Sequence, residues 1–347
     1  MAEYQHGGDI YSQKVELDYS ANISPLGMPE SVRQAVRQAV DRADVYPDSR
    51  CDRLRRELAD FHGVKKEMVI CGNGAADLIF QMVLAVKPVS ASVMAPGFSE
   101  YEQALKAFGC PVVRYMLKKE ERFQFSLEDW EKALPDHGGI AFFCNPNNPT
   151  GLTAGKETVR KMAEICRDRK MILVIDECFN EFLDQPESCS FLDQAEKYEN
   201  VFILKAFTKL YAMAGLRLGY GICANKRLLE QMELVRQPWS VSTLAQAGGM
   251  AALKETEFVK MVQKTVKKER DYLKSGLRAL GFRVWESKAN YIFFQGPEGL
   301  KEKLLERRVL IRSCGNYHGL DGTYYRICVK TREDNEKLLG VLEEEIG

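Results

Sequence analysis

Short apolar runs, each followed by a stretch of helical periodicity, constrain this chain more than any other feature. They fall at 68–71, 91–95, 140–144, 171–175, 201–204 and 218–222. Runs of this length with little polar alternation suit strands buried on both faces. Amphipathic segments such as 158–170 lie between them, so strand and helix alternate as in a mainly parallel sheet covered on both sides. The expected fold class is α/β, with a large domain at 45–235. The 347 residues suit a large domain carrying a smaller one.

After Trp239 the pattern changes. A long helix is expected at 257–280, with Phe258, Met261, Val262, Thr265 and Val266 at helical spacing. Strands are expected at 282–285, 290–294 and 324–329, followed by a terminal helix, which makes 236–347 a smaller α+β domain. Residues 30–44 hold a helix expected to pack with the small domain, its apolar face formed by Val32, Ala35, Val36, Ala39 and Val40. Residues 1–29 read as an extended arm.

The 49 basic and 49 acidic residues cancel, so no positive surplus exists to neutralise a run of nucleic-acid phosphates. Ten cysteines without a C-x-x-C pair argue against a zinc ribbon, and no metal site is expected. They read as reduced, mostly buried thiols. The opening Met-Ala-Glu-Tyr-Gln-His-Gly-Gly lacks a signal-peptide pattern and no stretch is apolar enough to span a bilayer, so a soluble, cytoplasmic protein is expected.

Candidate chemistry clusters at the expected strand ends. Lys209 follows the run at 201–204, where partial desolvation lowers an amine's pKa and makes it a usable nucleophile toward an aldehyde. Arg217 can hold a phosphate through a two-bond fork. Lys205 is the competing lysine. Gly74, Ala75 and Ala76 lie between a strand and a helix, where backbone N–H groups can receive a phosphate. Asp176 ends another strand and is either a functional carboxylate or a helix N-cap. The segment 145–151, Asn-Pro-Asn-Asn-Pro-Thr-Gly, is a turn unless its neighbours give it a role. Phe98, in Pro-Gly-Phe-Ser-Glu-Tyr at 96–101, is a core residue by the same standard.

The segment 208–219, Thr-Lys-Leu-Tyr-Ala-Met-Ala-Gly-Leu-Arg-Leu-Gly, resembles the lysine motif of fold-type I pyridoxal-phosphate enzymes, particularly the histidinol-phosphate aminotransferase branch. The resemblance covers nearly the whole chain. It implies that Lys209 carries pyridoxal 5′-phosphate as a Schiff base, that Asp176 pairs with the pyridine nitrogen, that Asn148 bonds the 3′-oxygen and that Phe98 stacks on the ring. Gly74, Ala75, Ala76, Thr208 and Arg217 would hold the phosphate. The family's usual hydroxyl three residues before the lysine is Ala206 here, with Thr208 the candidate substitute. Tyr46 would reach the cofactor phosphate of a neighbouring subunit, which implies a homodimer.

The segments 6–8, 18–27, 238–241 and 311–320 resemble the threonine-phosphate decarboxylases of cobalamin biosynthesis more closely than they resemble aminotransferases. That likeness implies decarboxylation of L-threonine O-3-phosphate and assigns His6, Gly7, Asn22, Asn148, Arg312 and Arg326 to a small phosphorylated amino acid. The two arginines would share its phosphate and carboxylate, without an individual assignment. Phe179 stands where aminotransferases place a tyrosine, which fits either retuned cofactor electronics or a neutral packing change. Two alternatives remain at this level: a histidinol-phosphate aminotransferase, and a catalytically idle relative acting as a binding or scaffold protein.

Overall fold

A computed structural model describes residues 6–346. Its centre is a seven-stranded sheet in the order Val69–Gly72, Gly219–Ile222, Val201–Ala206, Met171–Asp176, Gly139–Cys144, Ala91–Ala95, Val112–Met116. Only Gly219–Ile222 runs against the rest, pairing antiparallel with both of its neighbours. Ile70, Ile140, Leu173, Val174, Ile175, Ile203 and Leu204 are completely or almost completely buried, as the apolar runs require. Each such side chain contributes roughly 1.5–3 kcal/mol by leaving water, so the strand ends form a rigid platform. The edge strand Val112–Met116 was not expected from the sequence. It pairs on one side only, and Val113 and Met116 stay exposed, so it lacks the unbroken apolar run of the central strands.

A four-stranded antiparallel sheet, in the order Arg312–Ser313, Tyr324–Cys328, Tyr291–Gln295, Arg283–Val284, stands beside it. Tyr291, Phe293 and Tyr324 turn inward and join the large core, whereas Ile292, Phe294, Tyr325 and Ile327 pack outward with Leu273, Leu277, Leu338 and Leu342. The long helix Thr256–Ala279 supplies Leu273 and Leu277 to that outer cluster. Strand alternation puts Cys328 on the same face as Tyr324 and Arg326, but it joins the outer cluster instead, because the strand ends there against the arm and its Sγ lies 3.8 Å from the Asp18 carbonyl.

The helix Glu30–Val40 packs on Thr243–Ala252, and Val32 and Ala245 both belong to the large core. The division between hydrophobic clusters therefore does not fall at residue 235. The described part of the arm is not merely extended. Leu17–Asp18 pairs in parallel with Val309–Leu310, Tyr19 is fully buried, and its hydroxyl donates to Asn335 Oδ1 at 3.0 Å. All ten cysteines are free and buried. Among the described residues, no helix is long and apolar enough to cross a membrane.

Candidate active site

The parallel strands all end on one side of the sheet, and a cavity of about 300 Å³ opens there. Open α/β sheets bind ligands outside the carboxyl ends of their strands, because the loops and helix N-termini that follow converge there. Among its lining residues are Lys209, Asp176, Asn148, Phe98, Arg217 and Arg326.

One end is built for an anion. Gly74, at φ +85°, starts the helix Ala75–Val86, and no side chain caps that helix, so its first N–H groups face outward. Arg217 lies over this turn: a Cβ on Gly74 would meet its Nη2 at 2.6 Å. Thr208 is buried at the same cavity, and Ala206 lines it without a hydroxyl. Gly219 admits the close approach of strand and turn, since a Cβ there would lie 2.5 Å from the Ala75 nitrogen and 2.6 Å from the Gly74 carbonyl carbon. Backbone cannot swing aside as a long side chain can. Gly219→Ala is therefore expected to lower stability by about 1–3 kcal/mol, read as a fall in the thermal unfolding midpoint.

At the opposite end Asp176 terminates Met171–Asp176 with both oxygens engaged. Oδ2 accepts the Tyr101 hydroxyl at 2.5 Å and Oδ1 accepts the Cys178 N–H at 2.9 Å. Tyr101 stacks on Phe142 at 4.8 Å and meets Phe98 edge-on at 5.4 Å, which locks the hydroxyl in place. Burial, and then the Asp176 charge, push the Tyr101 phenol well above its ordinary range, so it remains a donor. The sequence reading did not single out Tyr101. Its position three residues after Phe98, where the turn enters the helix Ser99–Ala107, was the available signal.

The two lysines separate cleanly. Lys205 is buried in an ion-paired cluster with Glu177, 3.2 Å away, and Glu181. Burial alone would lower its pKa, but the two carboxylates outweigh burial and hold it above the usual range. Among the described residues Lys209 has no such partner: burial first, then the Arg326 guanidinium, hold its amine below the usual ammonium range, and its Nζ lies 5.9 Å from the centre of the Phe179 ring. Lys205→Met is accordingly expected to lose about 3–5 kcal/mol of stability in urea unfolding, because it strands the buried Glu177 carboxylate and deprives the half-buried Glu181 of its partner, while leaving Lys209 available.

Between these ends lie further donors. Arg326 donates from Nη1 to Asn148 Oδ1 and from Nη2 to the Ser20 carbonyl at 2.7 Å, and its buried Nε has no acceptor among the described residues. The Asn148 amide nitrogen is thereby left as the donor toward a ligand. Asn22 is buried, and its Oδ1 has no partner among the described residues. Arg312 is buried, bonds the Ser313 carbonyl at 2.7 Å and Asn316 Oδ1 at 2.8 Å, and lies over the Tyr317 ring. Tyr317, within a segment singled out from the sequence but not itself named, also lines the cavity. His6 and Gly7 close one side, together with Glu100, a carboxylate that sequence reasoning did not select. Tyr46 is not at this cavity. It is 78% exposed and stacks on Trp239 with ring centres 4.5 Å apart.

Residues 14–342 match the family described as aminotransferase class I and II. The chain is 34% identical to the threonine-phosphate decarboxylase of Salmonella typhimurium, over 97% of this chain and 95% of that protein. It is 32% identical to the histidinol-phosphate aminotransferase of Moorella thermoacetica, over 94% of this chain and 84% of that protein. Among solved structures, the histidinol-phosphate aminotransferase from Clostridium acetobutylicum superposes with a TM-score of 0.89 at 31% identity, covering 95% of this chain and 99% of that one.

Proposed function

The chain belongs to the aminotransferase class I and II family, and we propose that within it the chain uses pyridoxal 5′-phosphate to decarboxylate L-threonine O-3-phosphate. The products are CO₂ and (R)-1-amino-2-propanol O-2-phosphate, the latter serving the nucleotide loop of cobalamin. The observation that carries this reading is the burial of two arginines, Arg312 and Arg326, in the same cavity as Lys209. Arg217 and the uncapped helix suffice for a cofactor phosphate, so the remaining guanidinium groups suit a substrate with two anionic ends.

The residues present fit the cofactor. The uncapped N–H groups at Gly74, Ala75 and Ala76, with Thr208 and Arg217, suit its phosphate, and Asp176 suits a protonated ring nitrogen. Phe98 offers its ring as a stacking surface and Asn148 its amide as a donor to the 3′-oxygen. When bound, pyridoxal 5′-phosphate supplies an aldehyde for amine exchange and a conjugated ring that accepts the electron pair of a breaking Cα bond.

Lys209 would hold the cofactor through its amine, and its depressed pKa keeps that amine accessible in the neutral, nucleophilic form. Asp176, steadied by Tyr101, would hold the proton on the ring nitrogen. Arg312, Arg326, His6, Gly7, Asn22 and Asn148 grip the substrate and so decide which Cα bond aligns with the ring. The bond to the carboxylate breaks and CO₂ leaves. A proton, held by the released Lys209, returns to Cα. Tyr46 and Trp239, stacked and exposed, support a homodimer in which Tyr46 reaches the neighbouring site.

The likeness to histidinol-phosphate aminotransferases favours one rival, transamination, which would use the same cofactor residues. Phosphothreonine supplied without any keto acid is expected to give stoichiometric CO₂ over many turnovers. Activity that requires 2-oxoglutarate and histidinol phosphate would establish the rival.

A further inference from the structure

Glu100 poses an electrostatic problem that the proposed function leaves unsolved. It lies in the first turn of Ser99–Ala107, its side chain only 13% exposed, and lines a cavity whose other charged residues include Lys209, Arg217, Arg312 and Arg326. A bare carboxylate at a site that takes a doubly anionic substrate would repel it. The carboxylate is not bare. Oε1 lies 3.2 Å from His6 Nδ1, and Oε2 accepts the Ser99 hydroxyl at 3.0 Å. Burial pushes the Glu100 carboxyl up, and the His6 charge draws it only part of the way back.

The arm gives this pair its geometry. Gly7 packs so closely on residue 20 that a Cβ would sit 2.2 Å from the Ser20 carbonyl oxygen, the same oxygen that accepts Arg326 Nη2. Next along the chain, the Gly8 N–H donates to Ser20 Oγ at 2.7 Å. The backbone of the arm is thus fixed beside Arg326, and Glu100 fixes the His6 ring. With Nδ1 engaged, Nε2 is the nitrogen left for a ligand in the cavity that His6 lines.

We infer that Glu100 is a positioning residue that holds the His6 ring by Nδ1, so that the substrate's phosphate meets the ring's Nε2 edge instead of a carboxylate. Glu100 thereby selects phosphorylated over unphosphorylated amino acids. The inference rests on the substrate class proposed above and adds a residue and a selection rule to it.

The test is a set of binding titrations, followed by cofactor absorbance, with phosphothreonine and with L-threonine on the holoenzyme. The proteins are wild type, His6→Ala, Glu100→Gln and the double variant. Glu100→Gln preserves shape, so folding is not at issue. His6→Ala is expected to weaken phosphothreonine binding about tenfold or more, the worth of a charged hydrogen bond. It also leaves Glu100 facing the phosphate, so adding Glu100→Gln to His6→Ala should restore binding by roughly threefold or more as the repulsion is removed. Glu100→Gln alone should weaken phosphothreonine binding by roughly threefold, and L-threonine affinity should stay within about twofold throughout. A double variant that binds no better than His6→Ala, or equal losses for both ligands, would overturn the inference. Failure of the underlying substrate reading looks different: the wild type itself would then show no preference for phosphothreonine.

Discussion

Replacing Lys209 with alanine is expected to reduce turnover on the order of 10⁴-fold or more, and to abolish the borohydride-fixed lysine adduct with pyridoxal 5′-phosphate. In the proposed reaction the same amine would carry the cofactor and return the proton to Cα, so both effects come from one side chain. The structure makes the prediction selective. Lys205 is only four positions away, but its ammonium is committed to Glu177 and Glu181, whereas Lys209 faces the cavity with a depressed pKa. Peptide mapping of the reduced adduct should therefore find the cofactor on Lys209. Recovery on Lys205 would contradict the site assignment.

The second large effect is expected at Asp176. Its replacement by alanine should lower turnover roughly 10²–10³-fold, the usual consequence of removing one preorganised charge from the reacting centre. Both Asp176 oxygens already accept hydrogen bonds, from Tyr101 and from the Cys178 N–H, so the carboxylate arrives fixed at the strand end. Tyr101→Phe removes the hydroxyl but keeps the stacked ring, and is expected to reduce turnover by less than about tenfold. Steady-state rates on phosphothreonine measure both. A Tyr101→Phe loss as large as that of Asp176→Ala would move the critical group from the carboxylate to the phenol.

These residues differ in how far the sequence revealed them. That Lys209, Asp176, Asn148 and Gly74 lie together was legible because each follows a run of apolar residues and the ends of buried parallel strands converge on one place, whereas their expected roles came from the resemblance. The inner face of Tyr324–Cys328 was legible from strand alternation as far as Tyr324 and Arg326, but not at Cys328, where contact with the arm governs the strand's end. Val112–Met116 was missed because an edge strand needs no unbroken apolar run. Tyr101 and Glu100 escaped for another reason. Their significance lies in partners 75 and 94 positions away, Asp176 and His6, and local pattern carries no information about such contacts. The docking of the arm through Tyr19 and Gly7 was hidden in the same way.

In the proposed reaction the Cα–carboxylate bond breaks and a solvent-derived proton takes its place. The most direct measurement runs the holoenzyme on phosphothreonine in D₂O, without a keto acid, and analyses product and cofactor together. The account predicts 1-amino-2-propanol O-2-phosphate carrying a single non-exchangeable deuterium at C1, with the cofactor recovered as the aldehyde. A keto acid product, accompanied by cofactor in its amine form, would contradict it.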